Sequence, residues 1–495
     1  MKDYFEFKNY DDAISLDAAI IRGVNYRITI LSDILVRIEY NANGKFEDRP
    51  TELVKFRKFD VPKFMKKEDD NFLVITTNYF KLEYQKNKPF YGTKMNPSAN
   101  FKISLNNTDK VWFFGAAEAR NFKGTSSSLD DSSANFSKGL YSTDGFVSLD
   151  DSKSLIFNKD GSLGRRSDER IDTYVFMYRK DFGYCLRDYF KLTLKPNLLP
   201  RYALGVWWNK DVTYNTKMIE DLVWAFKKNE IPLSVFLLGP EWHMTYENTY
   251  SGYTFDYNLI PNPKELTDYL HSNNIRIGLN VDPSGGISPD EIGYTRFKQI
   301  AGYAEDGVIP FKGAGAESTG VVPFNVFNKQ MLTAYFDEFI KPLNDMGVDF
   351  YWIDYNNPSD LYTLRALNYY HFNNYKSGKK SRGMILSRNG MLASHLMPVL
   401  YSGKTIVSWD SLKMLPEYNS RAANIGLSWW SHDIGGFKGG IEDPELYMRY
   451  VQFGTYSPIL RFSSDASHFY KREPWLWDVK TFSVVKEYLK LRHRL

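Results

Sequence analysis

From Ala203 onward, short apolar runs alternate with helical patterns. The strand-like runs are Ala203–Trp208, Leu233–Gly239, Arg276–Val281, Asp349–Asp354, Met384–Arg388, Val399–Gly403, Leu427–His432 and Pro458–Ser463. Helical patterns stand between or after them at Lys217–Lys228, Pro263–Ser272, Lys329–Met346, Leu361–Tyr375, Trp409–Glu417, Pro444–Gly454 and Phe482–Leu495. Strands that alternate with crossover helices predict the α/β class, and eight of them predict a (β/α)8 TIM barrel. A doubly wound open sheet is the competing arrangement. It needs a phosphate fingerprint after its first strand, and Trp207-Trp208-Asn209-Lys210 is not one.

The first 200 residues have a different rhythm. Ile28–Ile30, Leu35–Tyr40, Phe72–Thr77, Phe80–Tyr84, Phe101–Leu105, Lys110–Phe114 and Thr173–Tyr178 are short β-branched or aromatic runs separated by Asn, Asp, Gly and Lys turns. Many short strands with frequent turns predict a β-sandwich. The polar stretch Gly124–Lys138 has the length of a lid or binding loop. A helical pattern at Phe182–Thr193, followed by Pro196 and Pro200, marks the boundary. The expected organisation is an N-terminal β-sandwich over 1–200 and a barrel over 201–495.

Composition removes several function classes. Lys and Glu are interspersed and the net charge is +4 over 495 residues, so no nucleic-acid-binding stripe is expected. The single Cys185 excludes an intramolecular disulfide framework. The N-terminal segment carries acidic residues and no apolar core, unlike a secretory signal. With no run of ~18 apolar residues, no membrane span is expected, and a cytoplasmic location is the expectation. Aromatic content of 16% suits a sugar-binding cleft and suits a β-rich core equally well.

What stands at the strand ends is more informative. They finish in Trp207-Trp208-Asn209, Glu241-Trp242-His243, Asp282, Asp354, Arg388, Lys404, His432-Asp433 and Arg461. In a parallel barrel these ends share the active-site face. Asp354 is the sharpest case: Phe350-Tyr-Trp-Ile runs straight into it and a polar Asn-Asn-Pro turn follows. Such an Asp is also a suitable cap for the next helix. A carboxylate in a cleft with Trp, His and Arg suits glycoside chemistry, where one carboxylate attacks or shields an oxocarbenium-like centre and a second group protonates the leaving oxygen. Metal hydrolysis has less support, since no HxH or HExxH spacing occurs, and no Gly-x-Ser-x-Gly elbow supports a serine hydrolase. No metal and no cofactor is expected.

Several segments, in order, resemble glycoside hydrolase family 31, the α-glucosidase and α-xylosidase family. Ala203-Leu-Gly-Val-Trp-Trp resembles its barrel entry, Trp352-Ile-Asp-Tyr its nucleophile strand and Ile385-Leu-Ser-Arg the strand carrying a substrate-binding Arg. Tyr401-Ser-Gly-Lys-Thr-Ile-Val-Ser-Trp-Asp-Ser-Leu resembles the acid/base segment, and Trp429-Trp-Ser-His-Asp-Ile-Gly-Gly-Phe is the most specific match. Gly139-Leu-Tyr-Ser-Thr-Asp-Gly resembles a loop of the family's N-terminal sandwich, which is galactose-mutarotase-like. The similarity spans roughly residues 110–495. It implies a retaining glycosidase acting on α-glucosides or related sugars, with an oligosaccharide or glycoside as its partner. It also implies Asp354 as nucleophile, and Trp352, Arg388, Trp409 and His432 around the sugar, with Asp433 and Glu241 as further sugar-binding candidates.

Two positions depart from the family pattern. Lys404 stands where the resemblance places the acid/base Asp, and Gly239 stands where it places an Asp that binds outer sugar hydroxyls. Lysine's ordinary pKa near 10.4 makes it a poor proton donor at neutral pH. The expectation is that Lys404 approaches Asp354 and pairs with it. Asp410 and Glu241 are the neighbouring carboxylates that could substitute, although Asp410 suits a first-turn helix acid better. A non-catalytic carbohydrate-binding relative on the same scaffold is the alternative. Family members continue past the barrel into β-domains, whereas the sequence given ends at Leu495 in a helical pattern.

Overall fold

The structure is a computed structural model that describes residues 7, 10–86, 88–91, 99–125, 136–302, 320–355, 360–376, 382–388 and 390–495. Two five-stranded antiparallel sheets form the N-terminal part. One runs in the order Ile20–Arg22, Tyr26–Ile30, Leu35–Tyr40, Ile171–Met177, Phe146–Asp150. The other runs Met65–Glu68, Phe72–Thr76, Phe80–Gln85, Phe101–Leu105, Val111–Phe113. Successive side chains of a strand face opposite sides. Alternate residues therefore meet between the sheets: Ile28, Ile30, Val36, Ile38 and Val175 pack against Ile75, Leu82, Tyr84, Phe101 and Ile103. This is a β-sandwich.

The first sheet is buried on its second face too. Leu35, Tyr174 and Phe176 pack there with Cys185 and Tyr189 of the helix Phe182–Thr193. The charged residues of that face survive burial by pairing. Arg37 Nη2 lies 2.8 Å from Asp172 and 3.1 Å from Glu39, and Arg27 Nε lies 2.5 Å from Glu39. Such pairing is the condition on which charge is tolerated inside a protein.

The second part is a closed barrel of eight parallel strands in sequential order. They are Val206–Lys210, Val235–Leu238, Arg276–Val281, Phe350–Ile353, Ile385–Ser387, Leu400–Tyr401, Trp430–Ile434 and Ile459–Ser464. All eight overlap the strands expected from sequence. Helices begin where side chains can accept the free N–H groups of the first turn. Asn215 accepts from Met218, Ser408 from Ser411, Asp443 from Glu445 and Leu446, and Asp478 from Lys480 and Thr481. The helix Trp409–Ala423 runs six residues beyond its expected end at Glu417, through Pro416. The helix Tyr294–Ala301 was not expected.

Strand parity decides what fills the barrel. Trp207, Leu237, Phe350, Trp352, Leu386, Tyr401 and Ile459 form the interior cluster. Their neighbours Val206, Trp208, Phe236, Leu238, Tyr351, Ile353, Ile385, Leu400 and Leu460 belong to the larger cluster with the helices. Counting on by two from the interior residues reaches Asn209 and Asp211, Gly239, Asp354, Arg388, and Arg461 and Ser463. Those positions carry the site. Among the described residues, no helix is long and apolar enough to cross a membrane.

Candidate active site

Asp354 tops the column Phe350, Trp352, Asp354. Its backbone N–H bonds Val281 O at 2.9 Å, which holds the residue in line with the third strand. Asn280 Nδ2 donates a long hydrogen bond to Asp354 Oδ2, at 3.4 Å. Arg388 Nε donates to the Tyr401 hydroxyl at 2.5 Å, and the guanidinium lies 5.3 Å from that ring's centroid. Burial works against the Arg388 charge, but Tyr401 and Asp354 outweigh it and raise its pKa. Trp352 lies 5.8 Å from the Tyr401 ring, edge to face, and its buried indole N–H has no hydrogen-bond partner among the described residues. A buried donor left in this state costs free energy until a ligand group accepts from it.

Beneath and beside this lies a fixed polar floor. Arg461 is fully buried and spends its guanidinium on four neighbours. It donates to Ser431 Oγ at 3.1 Å, Asn209 Oδ1 at 2.7 Å, Ser463 Oγ at 3.0 Å and Asp433 Oδ1 at 2.6 Å. Asp433 is thus the counter-ion of Arg461, and its Oδ2 is buried without a partner among the described residues.

Lys404 does not pair with Asp354. Its ammonium lies 3.8 Å from Asp211 Oδ2 and 4.6 Å from the Phe437 ring centroid. The expected Lys404–Asp354 pair is therefore corrected to Lys404–Asp211. The physical reason is that the first strand runs to Lys210 rather than ending at Trp208, which carries Asp211 to the mouth. Burial pushes the Asp211 carboxyl up to about 6; Lys404 pulls it down, Glu241 and Asp433 push it up, and Arg461 pulls it down. A carboxyl raised in the folded state stabilises the fold below the ordinary carboxylate range and loses that contribution as pH rises through its folded pKa. Asp211→Asn is therefore expected to match the wild type near pH 3, below the ordinary Asp value, and to gain up to about 3 kcal/mol at pH 8, read from urea midpoints. Equal midpoints at both pH values would show that Asp211 titrates normally.

One further expectation, that of His432, needs correction. His432 was expected beside the sugar, but its parity is that of the outward-facing Trp430. It is fully buried against Tyr418, with Nδ1 2.9 Å from Ser402 Oγ and Nε2 2.9 Å from Asn419 Oδ1. With Asn419 Oδ1 as acceptor, the neutral ring is protonated on Nε2 and accepts from Ser402 at Nδ1. Burial and the Arg461 charge lower its pKa to about 3, so it stays neutral. Trp409 begins the helix that follows the sixth strand and is 43% exposed. Asp410 beside it is exposed in the first turn of the same helix. Glu241 lies in the short turn Pro240–Trp242 after the second strand, exposed and turned towards Gly239. Trp207 and Trp430 are buried in packing against Phe350 and Tyr418.

The polar stretch around 124–138 falls partly outside the described residues, at 126–135. Its flanks reach the barrel: Thr125 Oγ1 donates to Gly390 O, and Phe136 packs on Tyr418. A cavity of about 900 Å³ lies elsewhere, between sandwich and barrel, lined by Glu52, Lys55, Arg365, Tyr369, Leu392 and Met397. None of the mouth residues named above lines it. No group of three or more His, Cys, Asp or Glu among the described residues is placed to hold a metal ion.

The sequence profile of the glycosyl hydrolases family 31 TIM-barrel domain matches residues 196–495. The chain belongs to glycosyl hydrolase family 31. Among similar sequences, an alpha-xylosidase of Saccharolobus solfataricus is 24% identical over 356 residues, 66% of this chain and 46% of that protein. Alpha-glucosidase 2 of Bacillus thermoamyloliquefaciens is 28% identical over 357 residues, 66% of this chain and 44% of that protein. The chain thus spans less than half the length of these curated relatives. A family 31 dextranase of Flavobacterium johnsoniae, complexed with glucose, superposes with a TM-score of 0.70 at 17% identity, covering 95% of this chain and 66% of that one. That likeness concerns the fold. Sequence reasoning missed Asp211 and Asn280 in this family 31 mouth. The parity of the interior column would have pointed to both.

Proposed function

We propose that this family 31 chain is a retaining glycosidase of the α-glucosidase type, cleaving α-glucosides or related sugars with Asp354 as nucleophile. The observation that carries this reading is the placement of Asp354: at the top of an interior column, with Asn280 as a weak donor and Arg388 close enough to feel its charge. An ionised carboxylate so placed can form a bond from one oxygen to the anomeric carbon while the bond to the leaving oxygen breaks. The unsatisfied Trp352 indole and the Arg388 guanidinium supply donors for sugar hydroxyls. The α-xylosidase and α-glucosidase names of the relatives support an α-linked substrate.

Lys404 and Gly239 favour a second reading, a relative that binds carbohydrate without cleaving it. The two readings separate on one experiment. Incubation with 5-fluoro-α-glucosyl or 5-fluoro-α-xylosyl fluoride, whose leaving group needs no proton, is expected to leave a glycosyl ester on the Asp354 peptide, detected by mass spectrometry. Saturable sugar binding with no adduct on that peptide would establish the second reading instead.

A further inference from the structure

Gly239 stands where the family resemblance places a carboxylate, yet the space beside it is not empty of carboxylates. A β-carbon at position 239 would lie 3.1 Å from Asp211 Oδ1 and 3.1 Å from Glu241 Oε2. The room that a side chain at 239 would need is taken by groups reaching in from the ends of the first and second strands. Of the two, Glu241 is exposed, whereas the Asp211 side chain is only 15% exposed. Asp211 Oδ1 is buried without a hydrogen-bond partner among the described residues, and Oδ2 faces the Lys404 ammonium at 3.8 Å.

We propose that Asp211 is the general acid of this site, the proton donor having moved from position 404 after the sixth strand to position 211 after the first, with Lys404 as its counter-ion. This rests on the reading of the chain as a glycosidase with Asp354 as nucleophile. The charged groups that face Asp211 come from four elements: Lys404 after the sixth strand, Glu241 after the second, Asp433 on the seventh and Arg461 on the eighth. Their balance, with burial, keeps the carboxyl partly protonated near pH 6. That matches what general acid catalysis asks of a donor, a pKa close to the working pH.

An Asp354 oxygen forms a bond to the anomeric carbon. The bond from that carbon to the leaving oxygen breaks, its electron pair stays on that oxygen, and the oxygen takes the proton of Asp211. The Asp211 carboxylate that remains is neutralised by Lys404. In the second half a water oxygen bonds the anomeric carbon, the ester bond to Asp354 breaks, and the water proton passes to Asp211. The arrangement also gives Lys404 a role that does not require it to lose a proton.

The test uses methyl and p-nitrophenyl α-glycosides of glucose and xylose. Asp211→Asn is expected to lower kcat/KM on the methyl glycoside by roughly 10²–10⁴-fold, and by less than about tenfold on the p-nitrophenyl glycoside, whose phenolate leaves without a proton. Asp211→Glu, which keeps a proton donor, should retain the wild-type ratio between the two substrates. On the methyl glycoside the alkaline limb of the wild-type profile should fall near pH 6, vanish in Asp211→Asn and move to higher pH in Lys404→Met. Equal losses on both leaving groups would assign Asp211 to sugar binding and overturn the proposal, as would undiminished methyl glycoside cleavage by Asp211→Asn. If the wild type cleaves neither substrate and forms no adduct with the glycosyl fluorides, the glycosidase reading fails first, and the acid assignment with it.

Discussion

Asp354→Asn is expected to slow p-nitrophenol release from an aryl α-glycoside by roughly 10⁴–10⁶-fold, the scale on which removing a covalent nucleophile acts. The amide matches the carboxylate in shape, so the hydrogen bond to Asn280 and the packing on Trp352 have no steric reason to change. What disappears is the charge that attacks the anomeric carbon. The aryl substrate isolates this loss because its leaving group needs no proton, so the outcome is independent of Asp211 and Lys404. Binding of the free sugar, measured by calorimetry, should change far less than turnover. A residual rate within tenfold of the wild type would remove Asp354 from the chemistry.

The second large effect is on stability. Asp433→Asn leaves the Arg461 guanidinium, 1% exposed, without its 2.6 Å counter-ion. Breaking one side of a buried ion pair costs about 3–5 kcal/mol, and the barrel's urea transition should fall accordingly. Removing both charges, in Asp433→Asn with Arg461→Met, should cost less than the sum of the two single changes, because neither charge is then stranded. A single variant within 1 kcal/mol of the wild type would show that Ser431, Asn209 and Ser463 satisfy Arg461 without Asp433.

The barrel was legible because its strands are short, largely apolar runs that alternate with helical patterns. Asp354 was legible for the same reason: one carboxylate ends an apolar run. The errors came from treating every strand end alike. A side chain's face alternates along a strand, so His432 turns outward to Tyr418 and Asn419 while its neighbours Ser431 and Asp433 turn inward. Asp211 was hidden by a strand read two residues too short. That Lys404 reaches Asp211 rather than Asp354 depends on how the ends of strands distant in sequence meet, which no local pattern encodes. In the sandwich, Arg37 and Asp172 look like surface residues in the sequence, yet both are buried, paired with each other and bonded to Glu47 O and Arg166 from neighbouring loops.

That helix carries the sole thiol of the chain, Cys185, with no exposed surface and with its pKa driven up by burial. Only a thiolate that solvent can reach reacts with a disulfide reagent. In the native protein the residue is therefore silent, and it becomes visible when the helix lifts from Leu35, Tyr174 and Phe176. Labelling at Cys185 consequently clocks the opening of one seam, the sandwich against its connecting helix, while changes at the barrel mouth pass unrecorded. A single sulfur thus reports on one motion of the molecule and is blind to the other.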